Sequence, residues 1–301
     1  MMKTFEIDQK IRNSAGHKFV QRIRQFSVST SIFGKNFLEL SNHIKAELEP
    51  GYYIKLQHRD FSAQREQGQL ETVHLMHNFL ASAYSLVEHT RNYYRKHYAE
   101  NEKFTDYQSE VDNHFTNNKL ANFIKCFRQY MQHFQPSFIS YQSSLYDDSE
   151  KLNAKIILTK SSILLFSGWN SKAKQFIDEL EGDLEILSVF TQYHSLIEQF
   201  HNWFITQQGK IHQAEVAELL KLEREYSQAQ LKELISEFCS TGHMTCKNFA
   251  KAVLDMYTVD DRKKIERMPI QKQLNEMIFT LKKKQFIDSA QESIIRARFS
   301  F

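Results

Sequence analysis

The sequence predicts a mainly α-helical protein: an up-and-down helical bundle that carries a small β-hairpin and continues into further C-terminal helices. Three observations predict it. The 301 residues include 8 Gly and 3 Pro, far below the roughly 7% and 5% of average chains, so turns are few and helices long. Apolar residues recur at steps of three and four along most of the chain, the period of a helix with one buried face. One stretch breaks that period. "SFISYQSSLY" and "AKIILTKS" are β-branched and aromatic, flank the polar run "DDSEKLN", and read as two strands of a hairpin.

The first long helix shows in Phe19, Ile23, Phe26, Phe33, Phe37, Leu40 and Ile44, and "EPGYY" from Glu49 ends it. A polar connector, "QHRDFSAQREQGQ", leads to the longest helix, whose inner stripe reads Val73, Met76, Leu80, Ala83, Val87, Thr90 and Tyr94. A stripe over that many turns packs along its whole length, as in a bundle. A shorter helix is expected over Asp106 to Phe115, and Asn117 or Asn118 then offers a cap for a helix running to Phe134, before Pro136. After the hairpin, helical periodicity resumes near Trp169–Glu181, Leu184–Gln207, Gln213–Glu225, Leu231–Cys239, Lys247–Tyr257 and Ile270–Phe286. The chain so divides into an N-terminal helical bundle over 1–135, a hairpin segment over 136–168 and a C-terminal helical region over 169–301, with "QQGK" at Gln207 as a second candidate break.

Composition narrows the function classes. With 41% hydrophobic and 25% charged residues, the chain can bury a core and is not a disordered tail. No apolar run approaches the roughly 18 to 20 residues that span a bilayer; the longest lies near "SILLF" at Ser162. Three cysteines and the start "MMKTFEIDQK" point to a cytoplasmic protein without a disulfide framework. The net charge of +3 is unevenly spread: Arg262 to Phe301 holds ten Lys and Arg against four acids, a local +6 that leaves −3 elsewhere. Such an end suits a phosphate backbone, although a solvated helix face is its plainer reading. Gly-rich phosphate loops and Ser-centred elbow motifs are absent.

The candidate chemistry lies in arginine and histidine. Imidazole moves a proton near neutral pH and guanidinium holds the charge that gathers on phosphate oxygens, a sufficient set for RNA cleavage by the 2′-hydroxyl without a metal or other cofactor. Three pairs have the spacing: Arg12 with His17, Arg91 with His97, and Arg128 with His133. About two are expected by chance, so context must discriminate. "RNSAGH" sits near a chain end, where a site is hard to hold in place. Arg91 edges the buried stripe of the longest helix and suits a snorkelling cation. Arg128 lies roughly 90° from the centre of the face formed by Leu120, Phe123, Ile124, Phe127, Met131 and Phe134, and His133 roughly 130° away. Residues five apart do not stack on a straight helix. A site built on them requires a helix distortion near Pro136 or a second chain.

The run "LANFIKCFRQYMQHFQPSFI", which follows "LASAYSLVEHTRNYYRKHY" and "FTDYQSEVDNHF", resembles bacterial members of the HEPN superfamily, all-helical domains found in RNA-cleaving toxins and antiviral effectors. The resemblance covers residues 69–138. It implies Arg128 as the phosphate clamp, His133 as the proton shuttle and Gln129 in the place of a short polar residue, commonly Asn. It further implies homodimers whose two motifs share a cleft, RNA as substrate, no cofactor, and a protein partner such as an antitoxin. Arg91, Asn92 and His97 are secondary candidates. Since Gln129 departs from the pattern, a non-catalytic module that dimerises and binds RNA or protein stands as the alternative.

One further cluster, "CSTGHMTC", places Cys239, His243 and Cys246 within eight positions. They are zinc-type ligands, but no fourth completes the set at a standard spacing. The alternative is that Cys239 packs at a helix end, Gly242 turns the chain and Cys246 is incidental.

Overall fold

The structure, a computed structural model, describes residues 2–100, 104–134, 139–145, 152–241 and 244–299; the side chains of residues 2, 3, 133, 134 and 145 are outside that description. It is mainly helical with one small antiparallel sheet. Two compact units divide the chain: a terminal unit of residues 1–20 with 213–301, and a central unit of residues 21–212. The hairpin therefore lies inside one unit rather than between two.

In the terminal unit, α1 (Met2–Asn13) and the start of α2 (Ala15–Glu47) lie against a helix of the C-terminal third. Gly16 makes this approach possible. A Cβ at that position would stand 2.2 Å from the carbonyl oxygen of Glu215, closer than any side chain is tolerated. Packing accounts for the "RNSAGH" stretch, and Arg12 there pairs with Asp8 at 2.8 Å.

The central unit begins within α2, whose Phe33, Leu40 and Ile44 are buried. Glu49 caps α3 (Pro50–Gln57), and a single 3-10 turn, Arg59–Phe61, leads directly into α4 (Ser62–His97). The expected polar connector is thus mostly the first turns of α4: its residues are polar because they face outward, not because the chain is irregular. α4 buries Leu75, Met76, Phe79, Leu80, Ala83, Leu86 and Thr90, a stripe centred slightly to one side of the expected one.

α5 (Tyr107–Val111) continues as a π-turn over Asp112–Thr116. Asn118 then caps α6 (Lys119–Gln129), its side-chain oxygen accepting from the Ala121 N–H at 3.0 Å. α6 widens into a second π-turn, Tyr130–Phe134. The hairpin follows as β1 (Ser140–Leu145) and β2 (Leu152–Leu158), antiparallel with Ser140 opposite Ile157; Asp147 and Asp148 of its turn lie outside the described residues. After α7 (Lys160–Leu164) and α8 (Ser171–Asp178), a third strand, β3 (Leu184–Glu185), pairs with the end of β2. α9 (Ile186–Ile211) closes the unit. It runs through Gly209 of "QQGK" and ends at Ile211, with His212 as its C-cap. Leu80, Phe123, Phe127, Phe190 and Ile197 belong to one core, and Phe26, Tyr98, Phe104, Tyr107, Phe200 and Phe204 to a second, aromatic one.

The terminal unit resumes with α10 (Gln213–Ser240), a single helix where the periodicity suggested two. Its first half packs Leu219 with Ile7 and Ile11 of α1. Its last part, with Leu231, Ile235 and Phe238, is covered by α11 (Cys246–Leu254), α12 (Val259–Glu266), α13 (Ile270–Lys283) and α14 (Ser289–Phe299). Much of the basic end is internally compensated: Arg262 pairs with Asp255 and Glu266, and Lys282 and Arg296 share Glu292. Among the described residues no helix is long and apolar enough to cross a membrane.

A cationic cleft as candidate functional site

α4, the α5 region, α6 and α9 enclose a cleft of about 390 Å³ within the central unit. A cleft of that size is in the range of small-ligand sites. Leu80, Ala83, Val87, Ile124 and Phe200 supply apolar wall, and Tyr107, Phe115 and Tyr193 add aromatic surface. Three cations, Arg91, Lys125 and Arg128, belong to the wall as well, against one carboxylate, Glu88. Arg128 and Lys125 are three apart on α6, and Arg91 and Glu88 three apart on α4, so each pair shares a helix face.

Arg128 is half-buried. Its guanidinium carbon stands 3.9 Å from the centroid of the Tyr84 ring, a cation–π contact that holds the planar group in place without consuming its donors. Its Nε is buried with no hydrogen-bond partner among the described residues. A buried donor left unpaired is costly, but an Nε without accessible surface is out of reach of a ligand in the cleft, so the half-buried guanidinium can offer an anion only its outer N–H groups. Arg91 is differently placed: it is exposed and pairs with Glu88 at 2.6 Å. Such surface pairs are weak, so this guanidinium can be shared with a competing anion.

His201 lies deeper, 3% exposed, its ring stacked on Phe26 at 5.4 Å. Its Nε2 faces the Thr90 hydroxyl at 3.3 Å, and that hydroxyl donates to the Leu86 carbonyl at 2.8 Å. Since the hydroxyl proton is engaged, Nε2 must be the donor and Nδ1 the bare acceptor. Nδ1 is buried and unpaired among the described residues. Burial pushes the pKa of this histidine down to about 4, so it is neutral near pH 7. Burial also raises the Tyr107 hydroxyl to about 12.

The residues expected from sequence divide as follows. Arg128 and Arg91 meet at one cleft. Gln129 and Asn92 are exposed and outside its wall, and His97 packs on Tyr93 with ring centroids 4.8 Å apart. Burial lowers the pKa of His97 first, and the charges of Arg22, Lys96 and His212 lower it further. The His133 backbone belongs to the π-turn that follows α6, and its side chain lies outside the described residues. The π-turn begins two residues after Arg128, at Tyr130, and bonds residues five apart. In the terminal unit Cys246 donates to the Arg298 carbonyl at 3.2 Å and Cys239 packs against the core of α10 to α14; His243 is outside the described residues. Among the described residues no three His, Cys, Asp or Glu side chains gather as a metal site.

Sequence reasoning missed Lys125, Tyr84 and His201. The available signals were Lys125 one helical turn before Arg128, and a histidine set inside the apolar run Ile197, Phe200, Phe204. Comparison with protein-family models, with curated proteins and with solved structures finds no match to this chain.

Proposed function

We propose that the central unit binds single-stranded RNA at the Arg128 cleft and cleaves it without a metal, in the manner of HEPN nucleases. The observation that carries this reading is Arg128 itself: a guanidinium fixed over Tyr84, beside Arg91 and Lys125 in one cleft. Positive charge concentrated over low-dielectric walls attracts phosphate. Arg128 is the clamp that stabilises charge on the phosphoryl oxygens. His133 is the proton shuttle: it takes the proton of a 2′-hydroxyl, the 2′-oxygen attacks phosphorus, and the 5′-oxygen leaves with a proton returned by imidazolium. The products are a 2′,3′-cyclic phosphate and a free 5′-hydroxyl. Twofold pairing of protomers brings a second Arg128 and His133 to the same strand.

Incubation of the full chain with a labelled RNA in EDTA tests this. The expected result is cleavage with cyclic-phosphate ends, lost by about a hundredfold or more in Arg128→Ala and in His133→Ala. Undiminished cleavage in both variants refutes the assignment. A second reading, RNA binding without turnover, with a protein partner, is favoured by Gln129, which is exposed away from the cleft wall. Tight binding by the wild type with intact RNA at every time point selects it.

A further inference from the structure

Helix α13 in the terminal unit presents an outward surface that its packing leaves unused. Its buried stripe, Leu274, Met277, Ile278 and Leu281, belongs to the core of α10 to α14. At 3.6 residues per turn Phe279 falls on the opposite side, and it is 63% exposed. Lys272, seven residues earlier, and Lys283, four later, lie within about 40° of it on the same face. Both are exposed, and neither forms an ion pair among the described residues. Beside them Lys282 and Arg296 share Glu292, and Arg296 also donates to Asn275 of this face at 2.8 Å. With Glu276 as the other acid, four cations flank the ring against two carboxylates.

A single exposed ring means little by itself; its setting between uncompensated lysines is what selects a partner. Single-stranded nucleic acid stacks its bases on aromatic side chains while positive charge holds its phosphates. A helix that lies on a membrane needs a broad apolar face turned outward, whereas α13 buries its apolar face and leaves one ring outside. We infer that this face of α13 binds single-stranded RNA: one base stacks on Phe279, and Lys272 and Lys283 hold phosphates of the nucleotides to either side. Along the helix axis Lys283 stands about 6 Å from Phe279 and Lys272 about 10 Å, distances that flexible lysine stems bridge along one strand. The site is built from the terminal unit alone, so it goes beyond the nuclease reading and does not depend on the Arg128 cleft.

The test uses the full chain and two fluorescent dodecanucleotides with uncleavable 2′-O-methyl backbones, adenine at every position or abasic throughout, titrated at several salt concentrations. Phe279→Leu keeps an apolar side chain without a planar ring; it weakens the adenine strand about fivefold or more and leaves the abasic strand unchanged. Phe279→Trp retains wild-type affinity, and its added tryptophan is quenched by the adenine strand beyond the quenching seen in the wild type. The double variant Lys272→Gln, Lys283→Gln lowers the slope of log K against log salt by about 1.4, two phosphates on a single strand. Either an affinity unchanged by Phe279→Leu or a slope unchanged by the lysine pair overturns the inference. Arg128→Ala, measured in parallel, separates the two sites. Loss there alone overturns the α13 site and leaves the cleft reading, whereas loss in Phe279→Leu alone supports the α13 site and removes RNA from the cleft. Vesicles of phosphatidylserine and phosphatidylcholine form the last arm: vesicle binding abolished by Phe279→Leu, with RNA affinity intact, assigns the face to a membrane and overturns the RNA site.

Discussion

Protonating His201 should loosen the central unit, and the size of the effect follows from its surroundings. The imidazole is 3% exposed, stacked on Phe26, and held by the engaged Thr90 hydroxyl at 3.3 Å. Burial lowers its pKa from 6.5 to about 4. Because the folded pKa is depressed, the unfolded chain binds the proton more readily between these values. Stability is therefore full above about pH 6.5, falls as pH is lowered, and levels off below about pH 4. The complete displacement corresponds to about 3 kcal/mol, of which about 2 kcal/mol is lost between pH 7 and pH 5. Both tryptophans of the chain, Trp169 and Trp203, lie in the central unit, so urea unfolding followed by tryptophan fluorescence reports on that unit. Comparison with His201→Phe, which preserves the aromatic stack and cannot titrate, isolates the contribution. His194, whose pKa burial also lowers, is common to both proteins and cancels. The wild type should lose about 2 kcal/mol more than the variant from pH 7 to pH 5. Parallel stability curves across that range would refute the burial argument.

Other substitutions probe separate parts of the account. Gly16→Ala forces a Cβ into the Glu215 carbonyl, 2.2 Å away, and should cost roughly 1 to 3 kcal/mol, seen as faster hydrogen exchange in α1 and the first half of α10. Gly209→Ala meets nothing within 4 Å inside α9 and should stabilise the central unit by about 0.5 to 1 kcal/mol, read by the same fluorescence titration. Glu88→Gln removes the carboxylate that pairs with Arg91 at 2.6 Å, so RNA affinity at low salt should rise about two- to fivefold; an unchanged affinity would place Arg91 outside the binding path.

Much of the fold was legible in the sequence because its signals are local. Asn118 caps α6 through its own side chain, and the β-branched run at Leu152–Leu158 forms a strand beside Ser140–Leu145. What escaped depends on the environment. Gly209 reads as a breaker, yet an isolated glycine in a long apolar helix is tolerated. The polar residues from Ser62 onward read as loop although they are the first, mostly outward turns of α4. β3, two residues long, is too short to show a period. The site was half legible for the same reason. Arg128 and Arg91 are conspicuous by type, whereas the cleft joins α4, α6 and α9, and no spacing along the chain announces that Lys125, Tyr84 and His201 share it. The π-turn at Tyr130–Phe134 has no sequence signature beyond the nearby proline.

The most direct test of the central claim is the salt dependence of single-stranded RNA affinity in the wild type and in Arg128→Ala. If Arg128 clamps a phosphate in this cleft, the substitution weakens binding and lowers the slope of log K against log salt by about 0.7, one phosphate contact on a single strand. An identical affinity and an identical slope in the two proteins would contradict the claim that RNA passes through the Arg128 cleft.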